Sequence, residues 1–151
     1  LPAALLNLFV TAAAIVIASE SAAQAAGLKP LARLVSYASH AQAPEWFTTA
    51  PGPAMQKAID RAGWKVADVD LFEINEAFAC VAMAAMQDLG LRHDQLNVNG
   101  GACAMGHPVG ATGARIITTL LHALRKRGLR RGVASQCIGG GEACAVAIEL
   151  L

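Results

Sequence analysis

The sequence predicts an α/β fold in which a mixed sheet carries helices on both of its faces. Apolar runs of strand length alternate with longer segments of helical periodicity, the pattern of a layered α/β domain. The chain ends on two apolar strands joined by the run Gly139-Gly140-Gly141, which predicts a hairpin. Because a hairpin pairs its strands antiparallel, the sheet is expected to be mixed.

The individual elements follow from apolar periodicity and from turn residues. Short apolar stretches predict strands at residues 15–18, 31–37, 69–74, 97–98, 133–138 and 144–150. Helical stretches bounded by glycine, proline or capping residues predict helices at residues 20–26, 54–62, 76–89 and 114–127. The segments between them include a loop at 39–53 and a glycine-rich loop at 100–113.

The helix at 114–127 is predicted to be amphipathic. Its buried stripe should consist of Ile117, Leu120, Leu121 and Leu124. Its solvent face should carry Arg115, Thr118, His122, Arg125 and Lys126. In the strand at 69–74, apolar residues alternate with Asp70 and Glu73.

Composition excludes several classes of protein. The 151 residues are 55% hydrophobic and 15% charged, with a formal net charge of +1. Disorder requires low hydrophobicity and high charge, so the chain is expected to fold, and as a single domain. The balanced charge gives no support for a nucleic-acid partner or an acidic membrane surface. We expect neither partner, and we expect a cytoplasmic protein.

The cysteines do not indicate a metal site or a disulfide framework. The chain has four of them, Cys80, Cys103, Cys137 and Cys144. No two are spaced as CxxC, and no second ligand pair accompanies Cys103 and His107. We therefore expect no metal, and small buried thiols at every position except Cys137.

The first eighteen residues are almost wholly apolar. Pro2, Asn7 and Thr11 interrupt this stretch, and it lacks the basic flank of a signal peptide. A membrane span is therefore the minor alternative, and a buried strand at 15–18 the favoured interpretation.

Asn75 and Glu76 stand at the end of an apolar strand. Sites of α/β proteins lie at the carboxyl ends of strands, where an asparagine can position a water or donate to an oxyanion. Capping of the following helix by Asn75 is an equally good interpretation of the local sequence.

His107 lies in the glycine-rich loop at 100–113, directly before Pro108. Glycines let the backbone approach a ligand closely, and the loop leads into a helix N-terminus, which lowers the pKa of a nearby histidine. We favour a base or an oxyanion donor over a capping or core histidine. The loop matches neither the P-loop nor GxGxxG.

Cys137 ends a strand and precedes Ile138 and three glycines. Bare backbone N–H groups beside a cysteine can stabilise a thiolate or an oxyanion. A cysteine and a histidine on neighbouring strand-end loops together indicate thiolate–imidazole chemistry.

The three motifs, NEAFA at 75–79, GHPVGATG at 106–113 and CIGGG at 137–141, resemble the C-terminal domain of thiolases. The resemblance covers about residues 12–151 and is closest to bacterial acetyl-CoA acetyltransferases. It implies a five-stranded sheet with helices on both faces. It also implies a reaction in which an acyl group moves to a nucleophilic cysteine and acetyl-CoA then attacks it in a Claisen condensation, or the reverse thiolysis.

The same resemblance implies roles for single residues. His107 would activate the nucleophilic cysteine and, with a water held by Asn75, stabilise the thioester enolate. Cys137 would act as the acid and base that moves the α-proton of acetyl-CoA. The Gly139 N–H would contribute to the oxyanion hole of the acyl-enzyme.

Substrate and partners follow from the resemblance as well. Ala77 and Phe78 would line the pantetheine channel for a CoA thioester, which is the substrate, and no bound cofactor is expected. The nucleophilic cysteine of the family lies in an N-terminal domain, and no cysteine of this chain has a matching context. We therefore expect a fragment that is inactive alone, that pairs with the missing N-terminal half, and that belongs to a homo-oligomer.

Two departures from the family pattern stand out. Residues 1–11 form an atypical apolar lead segment ahead of the domain at 12–151, and Ala143 stands where many relatives have glycine. The alternatives are a 3-ketoacyl-CoA thiolase of fatty-acid β-oxidation, or a thiolase-like relic that serves as a non-catalytic binding module.

Overall fold

The computed structural model describes residues 12–151. The strands are β1 (Ala32–Ala41), β2 (Leu71–Ile74), β3 (Arg131–Ile138) and β4 (Glu142–Leu150). The α-helices are α1 (Glu20–Ala25), α2 (Pro51–Arg61), α3 (Ala79–Leu89), α4 (Ala102–Met105) and α5 (Thr112–Arg127). Single turns of 3-10 helix occupy Pro44–Thr49, Val66–Asp68 and His93–Gln95.

The strands form one mixed sheet in the order β1-β4-β3-β2. β4 runs antiparallel to both β1 and β3, and β2 runs parallel to β3. The β3–β4 hairpin closes on the pair Ile138 and Glu142, so the predicted hairpin is confirmed. Its turn places Gly141 at φ +100°, and a Cβ there would meet the Gln42 carbonyl just after β1.

The sheet has four strands in the described residues, not the five that the resemblance implies. The predicted strand at 97–98 is wrong: Leu96 makes a single parallel bridge to Phe72, and Asn97 then turns away at φ +46°. The other elements predicted between residues 20 and 150 lie close to the observed ones. The largest shifts are at β1, which ends four residues later than expected, and at α2 and α3, which begin three residues earlier and three residues later. α3 begins late because residues 75–78 form a loop at the end of β2.

Helices cover both faces of the sheet, as predicted. Phe72, Ile74 and Val133 point to the face covered by α2 and α3, where Met55 and Val81 are fully buried. Leu71, Ala134 and Ile148 point to the opposite face and pack against Ile116, Leu120 and Leu124 of α5. Alternate residues of β2 therefore serve two separate cores, and the second core ends near the N-terminus of α5.

The predicted buried strand at 15–18 is wrong. These residues form neither strand nor helix, and Val16 and Ile17 are 89% and 76% exposed. The sheet of the described residues has no strand that pairs with them, so their apolar side chains find no core. No helix between residues 12 and 151 is long and apolar enough to cross a membrane, and the apolar lead segment at 1–11 lies outside the described part.

The buried face of α5 differs from the predicted stripe. Leu120 and Leu124 are buried as expected, whereas Ile117 and Leu121 are only partly buried. The buried residues are Thr112, Arg115, Ile116, Leu120, Ala123 and Leu124. Arg115, predicted to face solvent, points inward because the carboxylate of Glu73 on β2 lies opposite it as a counter-charge.

The prediction of small buried thiols is wrong for the three cysteines outside the third motif. Cys80, Cys103 and Cys144 are all exposed. Neither core of the sheet includes any of them. Cys144 lies on the same face of β4 as Val146 and Ile148, which pack against α5, but it stands at the hairpin end of the strand, beyond the residues of that core.

Candidate functional site

The three sequence motifs meet where β2 and β3 end. Asn75 directly follows β2, and its backbone N–H donates to the Ser135 carbonyl at 2.9 Å. Cys137 lies two residues further along β3, next to the hairpin turn that contains Gly139. Parallel strands end at the same edge of a sheet, so this pairing alone brings the first and third motifs side by side.

His107 completes the group from the loop that precedes α5. Its Nε2 lies 3.3 Å from Asn75 Nδ2, and its Nδ1 lies 2.7 Å from Thr112 Oγ1. The Thr112 hydroxyl donates its only proton to the Pro108 carbonyl at 3.1 Å. Thr112 Oγ1 therefore accepts a hydrogen bond from His107 Nδ1–H, which leaves the Nε2 lone pair to accept from the Asn75 amide. This assignment makes Nε2 the basic nitrogen.

The surroundings of His107 favour the neutral form of its ring. Burial lowers its pKa below the ordinary value of 6.5, and the positive charge of Arg115 lowers it further. The ring is held between the first residue of α5 and the end of β2, in a loop that Gly106 enters at φ +90°. A neutral imidazole with one ring nitrogen anchored and the other free of a proton is the form required of a general base.

The state of His107 can be measured in the 151-residue chain. By NMR, its ring is expected to titrate with a midpoint below 6.5 and to populate the Nδ1–H tautomer above that pH. Thr112→Val removes the acceptor of Nδ1–H, so the Nε2–H tautomer should rise. The exposed His122 on α5 serves as the internal reference, and a Thr112→Val ring with unchanged nitrogen shifts would contradict the assignment.

Asn75 does not cap a helix. The N-cap of α3 is Phe78, and it makes no side-chain capping bond, so the capping interpretation is wrong. Asn75 is 1% exposed, and its Oδ1 has no hydrogen-bond partner among the described residues. A buried amide with one free acceptor is costly unless a water or ligand completes it, which agrees with a role in holding a water.

Cys137 is half-buried and packs against the core of α2 and α3. Burial raises the pKa of its thiol above 9.0, against the lowering effect of a backbone hydrogen bond, and Cys80 raises it further. Cys137 is therefore protonated at neutral pH. The structure places it at the same sheet edge as His107 and Asn75 but shows no hydrogen bond to either side chain. Gly139 lies in the exposed turn, and a Cβ added there would have nothing within 4 Å.

Ala77 and Phe78 lie in the loop that begins with Asn75. Ala77 is half-buried against the core that lies between the sheet and helices α2 and α3, whereas the Phe78 ring is 60% exposed. The Phe78 ring meets Phe47 edge to face, with the ring centroids 6.3 Å apart. An exposed aromatic surface beside the site is able to contact an apolar chain such as pantetheine. Among residues 12–151, no group of three His, Cys, Asp or Glu side chains could hold a metal ion.

A buried ion pair that the sequence did not predict joins Glu73 of β2 and Arg115 of α5, next to the site. Arg115 Nη1 lies 3.7 Å from Glu73 Oε2, and these side chains are 6% and 1% exposed. Glu73 shares a face of β2 with Asn75, and Arg115 lies one turn after Thr112 on α5. Burial raises the pKa of Glu73 to about 7, although Arg115 lowers it. The available signal was an acidic residue inside a strand of otherwise apolar residues.

Comparison with known proteins defines the class. Residues 28–150 match the family model for the thiolase C-terminal domain. The chain belongs to the thiolase family, and the resemblance carried by the three motifs is confirmed. Over 140 residues it is 54% identical to the acetyl-CoA acetyltransferase of Escherichia coli (strain K12), covering 93% of this chain and 36% of that relative. It is 49% identical over 138 residues to the cytosolic acetyl-CoA acetyltransferase of Mus musculus, covering 91% of this chain and 35% of that relative.

Solved structures give the same result for the fold. The acetyl-CoA acetyltransferase of Bacillus anthracis superimposes with a TM-score of 0.85 at 45% identity, over 88% of this chain and 34% of that one. Human mitochondrial 3-ketoacyl-CoA thiolase superimposes with a TM-score of 0.86 at 44% identity, over 89% and 34%. The chain thus spans about a third of the length of the relatives it matches.

Proposed function

We propose that this domain supplies the acid–base residues of a thiolase-type acyltransferase that interconverts two acetyl-CoA with acetoacetyl-CoA and CoA. The observation that carries the proposal is the anchored histidine: His107 Nδ1 is held by Thr112 while Nε2 faces the Asn75 amide. Similarity to acetyl-CoA acetyltransferases over most of this chain supports it.

His107 acts first as a base. Nε2 takes the thiol proton of the nucleophilic cysteine, and the resulting thiolate attacks the thioester carbonyl, releasing CoA and forming the acyl-enzyme. The lowered pKa of His107 keeps Nε2 unprotonated before this step. Its imidazolium then carries a proton on Nε2 that can donate to a developing oxyanion.

In the condensation step, Asn75 and His107 act on the second acetyl-CoA. Removal of a proton from its methyl group places negative charge on the thioester oxygen. His107 Nε2–H and a water held by the Asn75 amide donate to that oxygen and so stabilise the enolate. The buried free acceptor of Asn75 supplies the second contact that such a water requires.

Cys137 moves the proton. During acylation, the Cys137 thiol gives its proton to the departing CoA thiolate, so CoA leaves as the thiol and Cys137 becomes a thiolate. Cys137 then takes the α-proton of the second acetyl-CoA. The resulting carbanion attacks the acyl-enzyme carbonyl and expels the nucleophilic thiolate, which recovers its proton from the His107 imidazolium. In thiolysis, the Cys137 thiol returns its proton to the departing enolate. Burial raises the pKa of Cys137, so its thiol is protonated before the substrate arrives and is ready to act as the acid in thiolysis. The Gly139 N–H contributes to the oxyanion hole of the acyl-enzyme.

The proposal includes partners that lie outside this chain. A domain with the nucleophilic cysteine of the family packs at the strand-end edge, and the assembly is a cytoplasmic homo-oligomer. Ala77 and the exposed Phe78 line the channel for pantetheine. The solved complex of human mitochondrial 3-ketoacyl-CoA thiolase with CoA covers the same part of the fold, which supports CoA thioesters as substrates.

The purified 151-residue chain alone is expected to show no thiolysis of acetoacetyl-CoA, because none of its four cysteines has the sequence context of the family's nucleophile. Co-expression with the N-terminal half of a thiolase is expected to give a reconstituted enzyme with activity that Cys137→Ala abolishes. Spectrophotometric loss of acetoacetyl-CoA is the assay, and Cys144→Ala on β4 is the matched control.

Three other results would contradict this proposal. Turnover by the chain alone, lost on Cys137→Ala, would show that no second domain is needed. Preference of the reconstituted enzyme for long 3-ketoacyl-CoA substrates would indicate a thiolase of fatty-acid breakdown. CoA binding by a well-assembled but inactive complex would indicate a binding module.

A further inference from the structure

Asn97 takes the place of a neighbouring strand at the end of β2. Its Oδ1 accepts from the Ile74 N–H at 2.8 Å, and its Nδ2 donates to the Ile74 carbonyl at 3.0 Å. Its own backbone N–H donates to the Phe72 carbonyl at 2.9 Å. One side-chain amide therefore satisfies both main-chain groups of the last strand residue before Asn75, at an edge where β2 has no further strand in the described sheet.

The Glu76 carboxylate joins this amide to the loop of His107. Oε1 accepts from Asn97 Nδ2 at 2.8 Å, and Oε2 accepts from the Cys103 N–H at 2.8 Å. A Cβ at Gly101 would collide with the same carboxylate, so a larger residue there would displace it from these two contacts. These contacts bind the residue after Asn75 to the first turn of α4, which ends just before His107.

We propose that Glu76 and Asn97 form a latch that sets the separation of His107 and Asn75, and that both are positioning residues of the acyl transfer. The proposal rests on the proposed function for its catalytic consequence. Glu76, the residue next to Asn75, is one end of the latch. It holds the Cys103 N–H, which lies four residues before His107. Neither member has a role in the proton transfers described above.

The latch is needed because the two reacting side chains come from different loops. Asn75 follows β2 and His107 precedes α5, and a single contact of 3.3 Å joins them directly. A displacement of about 1 Å at a reacting group costs roughly 100-fold in rate. Asn97 reaches its contacts at φ +46°, a conformation that asparagine tolerates better than most residues.

Glu76→Gln tests the latch, because glutamine keeps the shape but turns an N–H donor toward either Asn97 Nδ2 or the Cys103 N–H. In the 151-residue chain, hydrogen exchange at the Cys103 amide should accelerate about 10-fold or more. The His107 ring signals should shift, while those of His122 should not. In the reconstituted enzyme, kcat should fall roughly 10- to 100-fold, with KM for acetoacetyl-CoA within about twofold. The exposed Glu45→Gln is the matched control.

A substitution at Asn97 shows whether the changes come from loss of the latch rather than from a changed backbone conformation or from unfolding. Asn97→Gly keeps the positive φ but removes the side chain, so it should reproduce the Cys103 and His107 changes with native circular dichroism.

The outcomes are distinct. Unchanged Cys103 exchange and His107 signals in both Glu76→Gln and Asn97→Gly would overturn the latch, as would equal changes in Glu45→Gln. Changed signals with a kcat equal to that of the unaltered enzyme would overturn its role in positioning. If the reconstituted enzyme has no thiolase activity at all, the proposed function fails, and the exchange and ring signals still decide whether the latch holds His107.

Discussion

Glu73→Gln is expected to stabilise the protein by about 3 kcal/mol above pH 7 and to leave its stability unchanged near pH 4. Burial raises the pKa of Glu73 from its ordinary value of 4.5 to about 7, against the lowering effect of Arg115. Between these two pH values the folded protein keeps a proton that the unfolded chain releases. The unaltered protein therefore loses stability as the pH rises from 4.5 to 7, and a glutamine does not.

Urea unfolding at about pH 4.5, 6, 7 and 8 measures the difference in unfolding free energy between Glu73→Gln and the unaltered protein across this pH range. Glu45→Gln provides the control, since an exposed carboxylate without a partner in the described residues should change stability by less than about 0.5 kcal/mol. A Glu73→Gln variant that is less stable than the unaltered protein at pH 8 would show that the ion pair with Arg115 gives net stability, and that the raised pKa is wrong.

The Glu73–Arg115 pair affects His107 as well as stability. The charged groups lie on the side of the sheet that ends at Asn75 and His107, and neither Glu73 oxygen has a hydrogen bond in the described residues. Replacing both members of a buried ion pair by well-packed apolar residues is often stabilising. The positive charge of Arg115 also lowers the pKa of His107, so the arginine opposite Glu73 favours the neutral form of this imidazole.

The part of the site that lies at strand ends could be predicted from the sequence. Asn75 and Cys137 each follow an apolar run, and His107 lies in a glycine-rich loop before a helix. Strand ends of an α/β sheet share one edge, so their juxtaposition follows from topology. The structure brings Asn75 beside Ser135, two residues before Cys137, as this rule predicts. His107 reaches Asn75 from the loop before α5, which follows α4 rather than a strand, so their contact does not follow from strand ends. The catalytic roles themselves remain predictions for the reconstituted enzyme.

What could not be predicted depends on pairs of residues far apart in sequence. An arginine in an amphipathic helix is normally assigned to solvent, and only the opposing Glu73 explains why Arg115 is buried. Periodicity assigns Asn97 to a strand, whereas its left-handed turn depends on side-chain contacts with Ile74. Residues 15–18 are apolar enough for a strand, yet a strand also requires a partner edge, which periodicity does not reveal.

His107→Ala is expected to lower kcat of the reconstituted enzyme by roughly 10⁴-fold, and Asn75→Ala by roughly 100- to 1,000-fold. In the proposed mechanism, His107 serves both as the base that generates the nucleophilic thiolate and as a donor to the enolate oxygen, whereas Asn75 serves only the second step through a water. The two losses should therefore not add, because without the histidine the acyl-enzyme does not form and the enolate site is idle.

Single-turnover kinetics separates the two steps on which this difference depends. Asn75→Ala should still form the acyl-enzyme at close to the unaltered rate and then accumulate it, whereas His107→Ala should not form it. His122→Ala, an exposed histidine on the same helix as Thr112, should leave both steps unchanged. Equal loss of acylation in both variants would mean that Asn75 acts by holding the His107 ring through its contact with Nε2, rather than by holding a water for the enolate.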